Sequence, residues 1–304
     1  MSLIKSIGGK KVNFEFNKDF INIFSDKINS TDIQFINQTL KDLHPSDVAN
    51  LIENLSPETR SKLIEIEDFK IDPEIFIELN ESIQSEVLQL LSVESISNIL
   101  KRLESDNAIK ILENLDKEKK KIVLDKLPPK DRFLLEEGLS YPEDSAARIM
   151  QREFTAVPSE WSVGQTIDYL RESRDLPEEF LEIFVVDSNF KPVGTVPSSR
   201  VLRTPREKKM NTIMREMPVL LSVNMDKEEV GNTFENYSLV SAGVVNKENK
   251  LVGVITADDV VTVVQEEVEE DVLRLAGVGD EEITDTVFVK TKRRFNWLLL
   301  NLFT

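Results

Sequence analysis

The sequence predicts an α + α/β chain of several domains: an N-terminal α-helical superhelix over residues 1–138, then two β-α-β-β-α units, then a connecting helix. Three observations predict it. Leucine recurs every twelve residues through the first half, a Val-Gly pair recurs at matching places in two later segments, and Leu251–Val278 turns from an apolar run into a long acidic helix.

In the first half, Leu79, Leu91, Leu103, Leu115 and Leu127 stand twelve apart. Three residues before each lie Phe76, Leu88, Leu100, Leu112 and Leu124, and four before lie Ile75, Val87, Ile99, Ile111 and Val123. Positions i, i+1 and i+4 share one helix face, so each unit reads as a short amphipathic helix whose leucines are core rather than chemistry. Asn80, Ser92, Glu104, Asp116 and Pro128 follow the leucines as cap or turn residues. A related copy starts earlier, since LIENLSP at Leu51–Pro57 echoes ILENLDK at Ile111–Lys117. Helices of about two turns are unstable alone, so they must stack on one another. His44, with Pro45 beside it, is expected to cap or pack at a repeat turn. The repeat should end near Gly138, where Tyr141-Pro142-Glu143-Asp144-Ser145-Ala146 reads as a turn leading into another helix.

From Ile149 the texture changes. Ile149-Met150 and Ile213-Met214 open two segments of one plan: a strand ending near Val157 or Val223, then an amphipathic helix at Ser162–Arg171 or Lys227–Tyr237. A strand follows at Ile183–Val186 or Gly243–Val245, then a polar turn and a strand with Val193-Gly194 or Val252-Gly253. The two glycines each lie eight residues after Val186 or Val245, as a tandem duplication requires. Trp161 is expected to pack at the start of the first helix.

The last strand runs into a helix at Thr256, a suitable N-cap, with Val260, Val261, Val264 and Val268 at helical spacing. Asp258 and Asp259 sit where the macrodipole favours acids; Glu266, Glu267, Glu269, Glu270 and Asp271 sit where it does not. Solvent could offset this second cluster, as it does most charge runs, and so could a divalent cation or a basic partner.

Composition narrows the chemistry. A net charge of -17, from 55 acids against 38 bases, repels phosphate and makes nucleic acid a poor partner. The absence of cysteine and the single histidine exclude thiolate and imidazole metal sites, leaving oxygen ligands suited to Mg²⁺ or Ca²⁺. No Ser/His/Asp set, glycine-rich phosphate loop or cofactor fingerprint appears, so the chain is not read as an enzyme. Met1–Lys11 lacks the apolar core and cleavage site of a signal peptide.

The two segments resemble a pair of CBS domains, the second carrying the family's G-x-x-T-x-x-D pattern as Gly253, Thr256 and Asp259. The resemblance implies a nucleotide site there, the acid receiving a ribose and the hydroxyl a phosphate. The first copy has Pro197 in place of the hydroxyl and Arg200 in place of the acid, which argues against an adenosine site in that half. A CBS pair that binds no nucleotide stays open, because fold does not fix ligand.

Leu43-His44-Pro45-Ser46-Asp47-Val48-Ala49, the helical repeat, Tyr141–Ala146, the CBS pair and Glu270-Asp271-Val272-Leu273-Arg274-Leu275-Ala276-Gly277 occur in that order. This order resembles the cytosolic part of the MgtE family of Mg²⁺ channels. Phe295–Thr304 is similar to the start of that family's first transmembrane helix, with Lys290, Lys292, Arg293 and Arg294 before it, as on a cytoplasmic flank. So short an apolar run cannot cross about 30 Å of hydrocarbon, and the chain is read as cut there from a multi-pass protein. The resemblance divides it into residues 1–138, the helical domain; 139–208 and 209–270, the CBS domains; 271–294, a connecting helix that closes the pore; and 295–304. It implies a homodimer through the CBS domains, coupled to the protein's own transmembrane domain at the cytoplasmic face of the membrane.

In that family Mg²⁺ bridges acids of the helical and CBS domains when the assembly is closed. Carried over position by position, the candidates are Glu74, Asp106, Glu228, Asp259, Glu267, Glu270 and Asp271. Lys110, Ser238 and Thr262 stand where the family usually has acids, and Ala147-Arg148 where it has Gly-Gly, so fewer or weaker ions are expected. The rival reading is a soluble CBS adaptor that binds an adenine nucleotide such as ATP and docks a protein partner.

Overall fold

The computed structural model describes residues 16–275, save 42, 67, 68, 178 and 218, and within the last helix leaves the side chains of 269–271 and 273–275 undescribed. The chain divides into two compact units, Met1–Glu136 and Glu137–Thr304.

Among the described residues the first unit is a run of ten short helices whose last crosses into the second: α1 (Lys18–Asn29), α2 (Ile33–Lys41), α3 (Pro45–Glu53), α4 (Pro57–Glu65), α5 (Pro73–Ile77), α6 (Glu81–Leu90), α7 (Val93–Leu100), α8 (Ser105–Glu113), α9 (Lys117–Lys126) and α10 (Pro129–Leu139). The twelve-residue columns form its core: Phe76, Leu88, Leu112, Val87, Ile111 and Val123 are all buried. α3 packs on α5, α4 on α6 and α7 on α9, each helix against the one two places on.

The expected caps are in place. Asn80, Ser92 and Asp116 accept hydrogen bonds from the first turns of α6, α7 and α9. His44 caps α3, its ring accepting from the Ser46 amide at 3.3 Å. Glu104 precedes α8 without a side-chain cap bond.

Helix C-termini are closed by side chains from later helices. Arg60, 3% exposed, donates Nη1–H to the carbonyls of Ile52 and Glu53 at 3.1 and 3.3 Å, and Nε–H and Nη2–H to Glu86 at 3.1 and 2.9 Å. Gln84, twenty-four residues on, donates to the carbonyls of Phe76 and Ile77 at 3.2 and 3.3 Å. Lys119 serves Leu88 and Leu91 at 2.6 and 3.2 Å. These bonds satisfy carbonyls that a helix end leaves open.

The second unit holds β1 (Ala156–Pro158), α11 (Val163–Glu172), β2 (Glu182–Val186), β3 (Pro192–Pro197), α12 (Ser198–Arg203), α13 (Met210–Ile213), β4 (Leu221–Ser222), α14 (Lys227–Tyr237), β5 (Ser241–Val245), β6 (Leu251–Thr256) and α15 (Ala257–Leu275). The duplication is plain in the sheets. β1 runs parallel to β2 and β2 antiparallel to β3; β4, β5 and β6 repeat this, down to a bulge at Val185/Val186 and at Val244/Val245. Phe184, Val186, Leu251 and Val254 form a core joining the halves. Trp161 packs edge-on to Tyr169 at 5.4 Å, at the head of α11.

One expectation fails. Tyr141–Ala146 leads into no helix; it turns and lies against the second sheet. Ala146 and Ala147 donate their amides to the carbonyls of Met225 and Val223 at 2.7 and 3.1 Å, and Gln151 pairs with Val254. Exposed strand edges offer these amides acceptors that a helix would otherwise supply. Arg148 fastens the turn by donating to the carbonyls of Tyr141 and Leu139 at 2.9 and 3.1 Å.

Arg60→Met should destabilise the first unit by about 2–4 kcal/mol, since it opens two helix-end carbonyls and strands Glu86. Urea unfolding followed by far-UV circular dichroism measures this, and Trp161 fluorescence should show the second unit unchanged.

Candidate functional site

The residues singled out for binding fall into three places. Around the β6–α15 turn, Asp259 occupies the first turn of α15, and its Oδ2 accepts from the Thr256 hydroxyl at 2.6 Å, the Thr256 amide at 3.3 Å and the Gln151 side-chain amide at 3.1 Å. Thr256 thus donates to the helix's own carboxylate, where an N-cap would have accepted from the helix. The result is a fixed, half-buried carboxylate with its donors already in place.

Gly253 is required by packing. A Cβ there would lie 2.6 Å from Met150 Sδ and 2.9 Å from the Gln151 carbonyl, because Gln151 and Val254 exchange backbone hydrogen bonds of 2.8 and 2.9 Å. Gly194 is held alike: its Cβ would meet the Arg215 carbonyl at 2.5 Å, and Thr195 pairs with Arg215. The glycine is therefore common to both copies, while the hydroxyl and acid belong to the second. In the first copy Arg200 donates to the Ile213 carbonyl at 2.9 Å.

The second place is the α14–α15 contact. Lys227, the first residue of α14, sends its Nζ to Glu267 Oε1 at 3.1 Å and to Asp144 Oδ1 at 3.2 Å. Burial works against the charged ammonium, but its hydrogen bonds and charge interactions with Glu267 and Asp144 outweigh this and hold its pKa above the usual lysine value. Part of the unfavourable acid cluster thus has a basic partner inside the same unit. Glu228, next along, is exposed and donates its amide to Asp226 at 2.9 Å. The side chains of Glu270 and Asp271 lie outside the described residues, as do Asp280–Lys292 and Phe295–Thr304.

The third place is in the first unit. Glu74 is exposed in α5, its amide held by Asp72, and Asp106 is half-buried in the first turn of α8. Lys110 lies 3.7 Å from Glu81 of α6, a partner within its own unit. Ser238 closes α14 in the left-handed conformation at φ 50°, and the Thr262 hydroxyl donates to the Asp258 carbonyl at 3.4 Å. Each residue at a departure from the family pattern thus has a local contact.

Among the described residues no three acids converge into a group that could hold a metal, and no helix is long and apolar enough to cross a membrane. The donors are carboxylates alone, which suits Mg²⁺: it is commonly held by one or two carboxylates and keeps several waters. Sequence reasoning missed Lys227 and Gln151. Lys227 carries no sequence signal beyond following an N-cap aspartate, and Gln151 becomes a partner only through the pairing of distant segments.

Comparison with known proteins places these elements. Residues 43–144 match the MgtE intracellular N domain, and residues 146–207 and 210–266 each match the CBS domain. The magnesium transporter MgtE of Bacillus subtilis is 30% identical over 54% of this chain and 37% of its own length. The chain spans about two fifths of the curated relatives it matches. Among solved structures, the cytosolic domain of the Mg²⁺ channel MgtE in complex with ATP aligns with a TM-score of 0.72 at 25% identity, covering 80% of this chain and 99% of that one. The soluble part of a magnesium transporter aligns with a TM-score of 0.69 at 21% identity, over 81% and 97%, and supports the fold.

Gly253→Ala should destabilise the second unit by about 1–3 kcal/mol, because the Gln151 backbone has to move away from the new methyl group. The midpoint of urea unfolding read by Trp161 fluorescence measures the shift.

Proposed function

From a chain that carries an MgtE intracellular N domain and a tandem CBS pair, and is homologous to MgtE transporters, we propose that it is the cytosolic Mg²⁺-sensing and gating region of a magnesium channel or transporter. The observation that carries this reading is the likeness across both kinds of domain to the MgtE cytosolic structure, which the chain matches over nearly all of that structure's length. The protein works at the cytoplasmic face of the cell membrane, as a homodimer through its CBS domains, joined to its own transmembrane part.

The physical logic is electrostatic. At a net charge of -17 the acids repel on average, and a small divalent cation turns repulsion between two acidic surfaces into attraction. Glu74 and Asp106 in the helical unit, and Glu228, Asp259, Glu270 and Asp271 in the CBS unit, are the proposed donors, with Glu267 already engaged by Lys227. Bound Mg²⁺ supplies the charge that draws the units together and so closes the pore. It shifts that equilibrium only as far as it prefers the compact state.

A second ligand has its own support, because the similar MgtE structure is an ATP complex. Gly253, Thr256 and Asp259 are the proposed adenine-nucleotide residues, Asp259 offering a preoriented acceptor to ribose hydroxyls. The ligand must exchange with the donors that Asp259 now holds, so affinity should be moderate.

Small-angle scattering during a Mg²⁺ titration tests the sensor reading. The radius of gyration should fall with millimolar Mg²⁺ and recover with chelator; an unchanged radius would remove the reading. Compaction by ATP without Mg²⁺ would favour a soluble CBS adaptor instead. In calorimetry Asp259→Ala should weaken ATP binding by about tenfold or more, the cost of a charge-assisted hydrogen bond.

A further inference from the structure

We propose that Lys227 is the resident cation of the α14–α15 contact: its ammonium, and not a metal ion, neutralises Glu267 and fixes the middle of α15. The inference takes its significance from the Mg²⁺-sensing reading, but it concerns one contact inside the second unit.

The contact is built on all three sides. Lys227 reaches Glu267 on α15 and Asp144 on the chain entering the unit, and its own amide donates to the Asp144 carbonyl at 2.9 Å. Ser145 pairs with Asp226, the N-cap of α14, so the backbone that presents Asp144 is itself fixed. One turn along each helix, Gly231 lies so close to α15 that a Cβ would stand 3.2 Å from Val264. That approach sets the helix separation at which the ammonium spans to Glu267.

The pair is also withdrawn from water. The Lys227 and Glu267 side chains are 22% and 18% exposed, against 54% and 67% for Lys126 and Glu94 on the surface of the first unit. A divalent ion arriving at Glu267 meets a fixed positive charge about 3 Å from the carboxylate and must displace it. Two like charges at that separation in a partly desolvated site repel strongly. Glu267 is therefore removed from the set of acids that respond to Mg²⁺, and α15 docks on α14 without it.

Hydrogen exchange on the full chain, in chelator and in millimolar Mg²⁺, tests the assignment. In the unaltered protein the backbone amides around Glu267 should already be protected in chelator, where the proposed Mg²⁺ donors are empty. Lys227→Met should raise their exchange about fivefold in chelator, the loss of a partly buried ion pair, and Mg²⁺ should restore it by taking the vacated carboxylates. Lys227→Arg should behave as the unaltered chain. Amides around Glu267 that exchange in chelator as fast in the unaltered chain as in Lys227→Met, or a Lys227→Met loss that Mg²⁺ does not restore, overturn the proposal. As a second variant, Glu267→Gln should leave the number of Mn²⁺ ions bound by the full chain unchanged; a drop by one ion overturns it. Failure of Mg²⁺-driven compaction would leave these exchange results as they stand, so the two readings fail separately.

Discussion

Among the described residues, no helix of the first unit and no strand of the second is long enough to stand alone, and that constraint shapes both units. The helices of the first unit run from five residues in α5 to twelve in α1, below the length at which an isolated helix holds in water. Each is completed from outside. The apolar faces of α3, α4 and α7 are covered by the helix two places on, α1 packs on α2 and α4, and the open carbonyls at the ends of α3, α5 and α6 are taken by Arg60, Gln84 and Lys119 from later helices. The strands of the second unit are shorter still, and the edges of its sheets are finished by Ala146, Ala147 and Gln151 on one copy and by Arg215 on the other. Stability lies in the joints between elements more than in any element.

The same economy governs charge. Several bases are engaged inside a unit: Arg60 with Glu86, Lys110 with Glu81, Lys227 with Glu267 and Asp144. With 55 acids against 38 bases, such pairing leaves an excess of acid, and Glu74 and Glu228 are among the acids exposed. Internal ion pairs thus support each unit, and under the proposed function the overall acid excess is what a mobile ion would meet. A sensor of the proposed kind needs both populations. Were every carboxylate ion-dependent, loss of magnesium would unfold the protein where it should only release it.

Much of the fold could be read from the residues because periodicity reports burial directly. The twelve-residue columns became the core of the first unit, and the paired Val-Gly motifs became two sheets with the same bulge. What escaped reading was long-range polar pairing. Tyr141–Ala146 carries acids ahead of small residues, a fair helix start, yet the chain after β4 takes the amides of Ala146 and Ala147, and β6 pairs with Gln151 just beyond. The acid run at Glu266–Asp271 asked for a cation, but nothing local marks Lys227 as the one that supplies it. Period-based reasoning sees faces; it does not see which base, some forty residues away, a given acid will meet. Thr256 erred in the opposite sense, its hydroxyl satisfying Asp259 and not the helix end.

These pairings have a mechanical consequence. The segment 144–151 lies near the start of the second unit, and α15 is the last described element of it. α15 grips that segment at both ends: Asp259 holds Gln151 directly, and Glu267 holds Asp144 through Lys227. The two are therefore one connected piece. A ligand that claims Asp259 releases Gln151, whose backbone lies against β6 beside Gly253, while the Lys227 joint keeps the far end fixed. The backbone of 146–151 stays in place, because Ala146, Ala147 and Gln151 keep their main-chain hydrogen bonds to Met225, Val223 and Val254. A ligand at the β6–α15 turn would then change the side-chain partners of Asp259 and Gln151 without loosening α15 from α14, a separation of roles that a metal ion at Glu267 would not provide.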